Sequence, residues 1–133
     1  MSTELYWLTL TVLMTALFWV PYILDRMAVR GIAGAVADTK AETGGPHSPW
    51  AQRARSAHQN AVENLAIFIP AVLVAHAIGL STPVTRVAVM VYFFARLAHF
   101  LVYTLGVPLL RTLTFTAGWL AQLALLASIL HWV

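Results

Sequence analysis

Four long apolar runs, in which charged side chains are rare, dominate the pattern of hydrophobic and polar positions. They cover residues 5–26, 57–79, 84–105 and 109–131. Each run is long enough to cross the hydrocarbon of a bilayer as one α-helix, which takes roughly 20 residues. Pro83 and Pro108 stand where helices can begin, and Gly79 and Gly106 stand where they can end. Because the connections between the last three runs are this short, consecutive helices must be antiparallel neighbours. The pattern predicts an all-α integral membrane protein, a four-transmembrane-helix antiparallel bundle that forms a single domain over residues 1–133.

The one long connection is predicted over residues 31–53. It contains Gly44-Gly45-Pro46 and several charged side chains, which is the composition of a solvated loop. The first apolar run is interpreted as a retained span and not as a signal peptide. Glu4 stands before it in place of a basic segment, and no small-residue cleavage site follows it.

Composition agrees with lipid as the solvent, since 60% of the residues are hydrophobic, 10% are charged and the mean hydropathy is +0.78. Most Lys and Arg side chains flank or occupy the long connection, whereas Arg86 stands alone at the opposite end. The positive-inside rule therefore places this loop in the cytoplasm and both termini outside. The absence of cysteine excludes disulfides, thiolate metal sites and cysteine nucleophiles. The sequence contains no carboxylate-rich metal cage or glycine-rich phosphate loop, and no metal is predicted.

Polar residues inside the second and third runs are the candidate functional centre. Asn60, Glu63, Asn64 and Ile67 are three or four residues apart on the second predicted helix, so they are expected to share a face. Arg96, His99 and Tyr103 recur at i, i+3 and i+7 on the third. Glu63 and Arg96 lie at similar depths, and an ion pair between them is predicted.

Two interpretations of these polar residues compete. A buried ion pair can serve only to fix helix register. The number of donors near one end of the bundle instead favours a site for an anionic ligand. The residues in question are Arg53, Arg55, His58, Asn60, Glu63, Arg96, His99, Tyr103 and Arg111. A transporter or proton relay that uses Glu63, His99 and Tyr103 is a third possibility, but the cluster stops halfway across the bilayer, whereas a transport path should continue.

Two segments resemble the signatures of the MAPEG family, the membrane-associated proteins in eicosanoid and glutathione metabolism. The first is Arg55-Ser-Ala-His58-Gln-Asn60-Ala-Val-Glu63-Asn64. The second is Ala95-Arg96-Leu-Ala-His99-Phe-Leu-Val-Tyr103, followed by Leu110-Arg111-Thr112-Leu-Thr114-Phe115. The chain looks most similar to prokaryotic members related to microsomal glutathione S-transferase, which would place it in the inner membrane of a bacterial cell.

The resemblance implies a homotrimer with glutathione as co-substrate, bound in a cytoplasm-facing cleft between subunits. The second substrate would be a hydrophobic electrophile or a lipid hydroperoxide that arrives from the membrane lipids, and no nucleic acid is expected. Arg111 and Thr112 match catalytic positions of the family. The implied glutathione-binding residues are Arg26, Arg30, Arg53, Arg55, His58, Asn60, Glu63, Arg96, His99 and Tyr103.

Three positions depart from the pattern of well-known family enzymes. Ser56 and Gln59 stand where basic residues are found in some members, and Phe115 replaces an aromatic hydroxyl. These departures keep a second function open, that of a non-catalytic lipid-binding or scaffold protein with the same fold. Retention of Arg111 together with Arg96 favours the enzyme, since a scaffold has no need of a cation at the thiol position.

Overall fold

The computed structural model describes residues 1–37 and 48–133, apart from the side chains of Arg30 and residues 33–37. All regular secondary structure among the described residues is helical: α1 Thr3–Leu17, α2 Val20–Ala37, α3 Pro49–Ala77, α4 Pro83–Leu105 and α5 Pro108–Ile129. Four segments are long and apolar enough to cross a membrane. They are Thr3–Val29, α3, α4 and α5. The predicted all-helical membrane fold with four spans is therefore confirmed.

The first span is built from two helices. α1 ends at Leu17, and Phe18 N–H donates to Thr15 O over 3.2 Å in a tightened last turn. Pro21 explains the break, because it has no N–H to donate to the Leu17 carbonyl, whereas it is well tolerated in the first turn of α2. The second helix continues past the predicted end at residue 26, and helical geometry is interrupted at Gly31 (φ 75°, ψ 162°).

The loop predicted over residues 31–53 ends earlier than expected, because α3 already begins at Pro49. Asp25 holds this start in place: its carboxylate accepts hydrogen bonds from the Ser48 N–H at 3.0 Å and the Ser48 hydroxyl at 2.6 Å. Ala51 and Ala54 lie in the part of α3 that the sequence did not predict, and both are buried, with 1% and 0% exposure. Small side chains allow such close helix packing even where the sequence is too polar to be predicted as a span.

The last three helices are joined by short turns. Gly79 (φ 70°) and Gly106 (φ 76°) adopt left-handed backbone conformations at the ends of α3 and α4. Thr82 and Thr85 form a reciprocal capping box at the start of α4. These turns place α3 beside α4 and α4 beside α5.

The core consists of two apolar clusters, to each of which α3 contributes the most residues, and α4 contacts α1, α3 and α5. Towards the chain termini, Phe68 of α3 stacks on Tyr92 of α4 with ring centroids 3.7 Å apart. Towards the long connection, Phe18 stacks on Phe100 at 4.0 Å. α4 is thus fixed against its neighbours at two levels, and Arg96 and His99 lie between these levels.

Candidate functional site

A stripe of polar side chains on α4 forms the centre of the site. Arg96 and His99 are each only 2% exposed, and Tyr103 is half-buried. Tyr92, four residues before Arg96, continues the stripe and is 1% exposed. Tyr92 was missed in the sequence, although its spacing from Arg96 is helical and could have revealed it.

Arg96 is held by an amide and an aromatic ring. Its Nη2 donates to Asn60 Oδ1 at 2.5 Å, and its guanidinium carbon lies 5.8 Å from the centre of the Phe115 ring. Gly118 makes room for the side chain, since a Cβ there would lie 3.3 Å from Arg96 Cδ. Arg96 Nε is buried and has no hydrogen-bond partner among the described residues.

Amides extend this contact across three helices. Asn64 Nδ2 donates to the Asn60 carbonyl at 2.9 Å, and Gln122 Nε2 donates to the Asn64 carbonyl at 3.1 Å. The Gln122 amide also lies 3.5 Å from the Tyr92 hydroxyl. Gln122 was missed in the sequence, although it is the single amide of α5. The result is a polar network that joins α3, α4 and α5 inside the bundle.

The predicted ion pair between Glu63 and Arg96 is wrong. Asn60 and Asn64 point into the bundle, whereas Glu63 is exposed together with Ile67 on another side of α3. No hydrogen bond or ion pair links Glu63 to the part of the chain that the structure describes. Three residues advance a helix by 300°, so Asn60 and Glu63 diverge by about 60°, and this is enough to separate a packed face from an open one.

Rings and a second cation surround His99. The centre of its ring lies 5.5 Å from that of Tyr103 and 5.9 Å from that of Phe115. Arg111 lies at the start of α5, and its guanidinium carbon lies 5.0 Å from the centre of the Tyr103 ring. His99 Nδ1 is buried without a partner among the described residues. Arg111 and Thr112 are exposed, and the Thr112 hydroxyl donates to the Pro108 carbonyl at 3.3 Å.

Other predicted site residues make structural contacts. Arg53 Nε donates to the Thr104 carbonyl at 2.9 Å and so satisfies the last turn of α4. His58 Nδ1 lies 2.8 Å from the Tyr22 hydroxyl, which ties α3 to α2. These bonds leave Arg53 and His58 attached to neighbouring helices.

Three further predicted arginines lie on α2 and α3. Arg26 is 7% exposed, and it lies one residue after the Asp25 that binds Ser48. The side chain of Arg30 lies outside the described residues. Arg55 is half-buried on α3.

A separate polar cluster lies at the opposite end of the bundle and was not predicted. Glu4 is 2% exposed, and its Oε1 accepts hydrogen bonds from the Thr85 hydroxyl at 2.6 Å and the Ser81 hydroxyl at 2.9 Å. Arg86 donates to the Ser81 hydroxyl at 3.3 Å. In the sequence, the signal for this cluster was Glu4, a lone acidic residue at the start of an apolar run.

An apolar layer lies between the two polar ends. It is formed by Leu65, Phe68, Val89 and Leu125, all 8% exposed or less. Within the described ranges, no chain of hydrogen bonds crosses this layer. The described residues therefore form no continuous polar path of the kind that a transporter or proton relay needs.

Comparison with known proteins gives a match to one family model. The model for the MAPEG family covers residues 5–131. The chain belongs to the MAPEG family. No curated protein and no solved structure matches the chain in the corresponding searches.

The MAPEG family includes glutathione transferases and related members, and the positions at which this chain departs from them can now be placed. Ser56 and Gln59 are both exposed on α3 and share a stripe with Glu63 at helical spacing. Phe115 is half-buried and contacts both Arg96 and His99. Hence two departures lie on an open face of α3, and the third lies at the centre of the site.

Proposed function

We propose that this MAPEG protein is a membrane-embedded glutathione transferase or peroxidase that acts on hydrophobic electrophiles or lipid hydroperoxides. The observation that carries the proposal is the position of Arg111. Its guanidinium is exposed, stacks on Tyr103 at 5.0 Å, and has no carboxylate partner among the described residues. A cation that is positioned but not neutralised favours an anionic ligand.

Glutathione has the matching chemistry. Its two carboxylates suit the arginines near this end of the bundle, and its single ammonium group suits Glu63. A thiol beside Arg111 would lose its proton more readily, because positive charge lowers the pKa of a thiol. Tyr103 fixes the direction of the guanidinium, and Thr112 adds a hydroxyl on the next residue.

The reaction needs no resident cofactor. In conjugation, the thiol proton passes to solvent, the thiolate sulfur forms a bond to an electrophilic carbon, and the leaving group departs with the bonding electron pair. In peroxide reduction, two glutathione molecules supply two electrons to the O–O bond. The products are glutathione disulfide, an alcohol and water.

A homotrimer would complete the site. Ser56, Gln59 and Glu63 form an exposed polar stripe on a membrane-spanning helix. A carboxylate that faces lipid is costly, so this stripe needs water, a ligand or another protein surface to cover it. A neighbouring subunit would supply such cover. Chemical cross-linking in mild detergent should give a trimer, and a clean monomer would remove the shared cleft.

The orientation proposed for the chain follows from its basic residues. Arg26, Arg53, Arg55 and Arg111 lie near the end of the bundle that faces the long connection. This end would face the cytoplasm, where glutathione is available, and both termini would lie outside.

The proposal is tested by measuring conjugation of glutathione to a chlorinated aromatic acceptor by the purified protein. We expect Arg111→Ala to lower turnover roughly 100-fold with little change in glutathione binding, because one stabilising donor for the reacting anion is lost. Arg86→Ala is the matched control, since it removes an arginine from the opposite end of the same bundle.

A second variant tests binding. Glu63→Gln should weaken glutathione binding roughly tenfold, because a charged contact to the ammonium group becomes neutral. If the wild-type protein shows neither conjugation nor saturable glutathione binding, the lipid-binding or scaffold alternative replaces the enzyme.

A further inference from the structure

The turn between α4 and α5 carries the backbone of Arg111. At the end of α4, the Gly106 N–H donates to the Tyr103 carbonyl at 3.0 Å. The Val107 N–H donates to the Val102 carbonyl, also at 3.0 Å. The Val107 carbonyl in turn accepts from the Arg111 N–H at 3.0 Å, in the first turn of α5. Val107 thus belongs to the end of one helix and the start of the next, so a shift in the last turn of α4 is passed on to Arg111.

Arg53 of α3 holds this turn from the side. Its Nε donates to the Thr104 carbonyl at 2.9 Å, and the last carbonyls of a helix have no donor within the helix itself. Gly106 makes room for the contact, since a Cβ there would lie 3.2 Å from Arg53 Nε and 3.3 Å from Arg53 Cζ. The half-buried side chain of Arg53 therefore lies directly against the turn that leads to α5.

The side chain of Arg111 depends on the same segment. Its guanidinium carbon lies 5.0 Å from the centre of the Tyr103 ring. Tyr103 directly precedes Thr104, whose carbonyl Arg53 binds. Both the backbone and the guanidinium of Arg111 are therefore placed by residues that Arg53 keeps in position.

Two roles for Arg53 make different demands on its side chain. The resemblance to the family implies that Arg53 binds glutathione, and a carboxylate ligand requires its positive charge. A side chain that satisfies the end of α4 requires an N–H group at the position of Nε, with or without a charge. The bond to Thr104 and the close fit against Gly106 both involve Nε and meet the second demand.

We propose that Arg53 is a positioning residue, which holds the last turn of α4 and thereby fixes Arg111 beside the thiol of glutathione. This proposal rests on the proposed glutathione-dependent activity. A displacement of about 1 Å that begins far from the reacting atoms can lower a rate by roughly 100-fold. Loosening the turn therefore lowers turnover although Arg111 itself is unchanged.

The first test compares substitutions of Arg53 in the conjugation assay. Arg53→Met removes both the donor and the charge, and it should lower turnover roughly tenfold while KM for glutathione stays within about twofold of the wild-type value. Arg53→Gln should recover most of the lost turnover. Its Nε2 is bonded to Cδ, as Nε is in arginine, and it can donate to the same carbonyl without a charge. Arg86→Met is the matched control at the opposite end of the bundle and should keep wild-type turnover.

A charge role for Arg53 predicts the opposite pattern. If Arg53 bound a carboxylate of glutathione, Arg53→Gln would raise KM for glutathione as much as Arg53→Met does, and Arg53→Lys would restore it. That result overturns the proposal, and so does wild-type turnover in Arg53→Met.

The pH dependence of turnover separates a displaced Arg111 from a loss of folded protein. Turnover should rise with pH as the bound thiol loses its proton. In Arg53→Met this rise should move to higher pH, because a displaced Arg111 lowers the pKa of the thiol less. Partial unfolding would instead reduce the rate at every pH and leave the profile in place, which overturns the proposal.

A second test requires no activity. Hydrogen exchange is measured by mass spectrometry on the protein in nanodiscs without glutathione. Peptides that contain Gly106, Val107 and Arg111 should exchange about tenfold faster in Arg53→Met and at the wild-type rate in Arg53→Gln. Unchanged exchange in Arg53→Met overturns the proposal. If exchange changes as expected but the wild-type protein neither conjugates nor binds glutathione, the proposed function fails and the positioning role falls with it, while the hold of Arg53 on the turn stands.

Discussion

The hydrogen bond between Arg96 and Asn60 lends itself to a quantitative test of the polar network. Asn60→Leu keeps a side chain of similar size but removes the acceptor that lies 2.5 Å from Arg96 Nη2. Arg96 is 2% exposed and its Nε already lacks a partner, so the guanidinium would have no side-chain acceptor left among the described residues.

The expected cost follows from these contacts. A hydrogen bond to a charged group contributes about 1.5–3 kcal/mol. The weaker 3.3 Å contact of Asn64 with the same oxygen is lost as well and adds about 0.5 kcal/mol. Interhelical hydrogen bonds measured within membranes average only about 0.6 kcal/mol, with a maximum near 1.7. Because Arg96 is charged, we take the upper end of the membrane range for its bond to Asn60 and add the contact of Asn64. We therefore expect Asn60→Leu to lower the free energy of unfolding by about 2 kcal/mol.

A double-mutant cycle isolates the pair. Unfolding in mixed micelles is followed by circular dichroism for the wild-type protein, Asn60→Leu, Arg96→Met and the double variant. Because Asn60→Leu matters chiefly through Arg96, the double variant should recover about 1 kcal/mol or more relative to the sum of the single changes. A coupling energy within about 0.3 kcal/mol of zero would refute the reasoning and show that Arg96 is satisfied by water or by another group.

Two further predictions concern the ends of the bundle. Glu4→Leu should lower the free energy of unfolding by about 2 kcal/mol, because the buried Thr85 hydroxyl loses its carboxylate acceptor. Thermal unfolding in detergent measures this loss. An unchanged unfolding midpoint would contradict the prediction. Gly106→Ala should cost more than Gly79→Ala, although both replace a glycine at positive φ at a cost of about 1–2 kcal/mol. A Cβ at Gly106 would lie 3.2 Å from Arg53 Nε, whereas nothing lies within 4 Å at Gly79, so equal losses in the same unfolding assay would count against a role for Arg53 in capping α4.

The spans and part of the site were accessible from the sequence for clear physical reasons. A membrane requires long apolar helices, so hydropathy alone locates them. The stripe formed by Arg96, His99 and Tyr103 follows from helical spacing within one helix. These predictions depend only on spacing within one helix, which is the same however the helices pack against one another.

The errors arose where a prediction needed to know which side of a helix faces the protein. Periodicity gives the angle between Asn60 and Glu63 but not which of them points inward. In the folded bundle, Asn60 points inward and Glu63 is exposed. The same limit hid Gln122, whose partner is a backbone carbonyl of α3. The early start of α3 at Pro49 depends on Asp25, which is distant in sequence and belongs to another helix.

The apolar layer between the two polar ends also acts as an electrical insulator. Phe68, Val89 and Leu125 are buried in one cluster and carry no polar side-chain atoms, so these side chains offer no hydrogen-bonded route from the charged groups at one end to those at the other. A bundle built in this way keeps the charged groups at its two ends apart by a layer of low polarity.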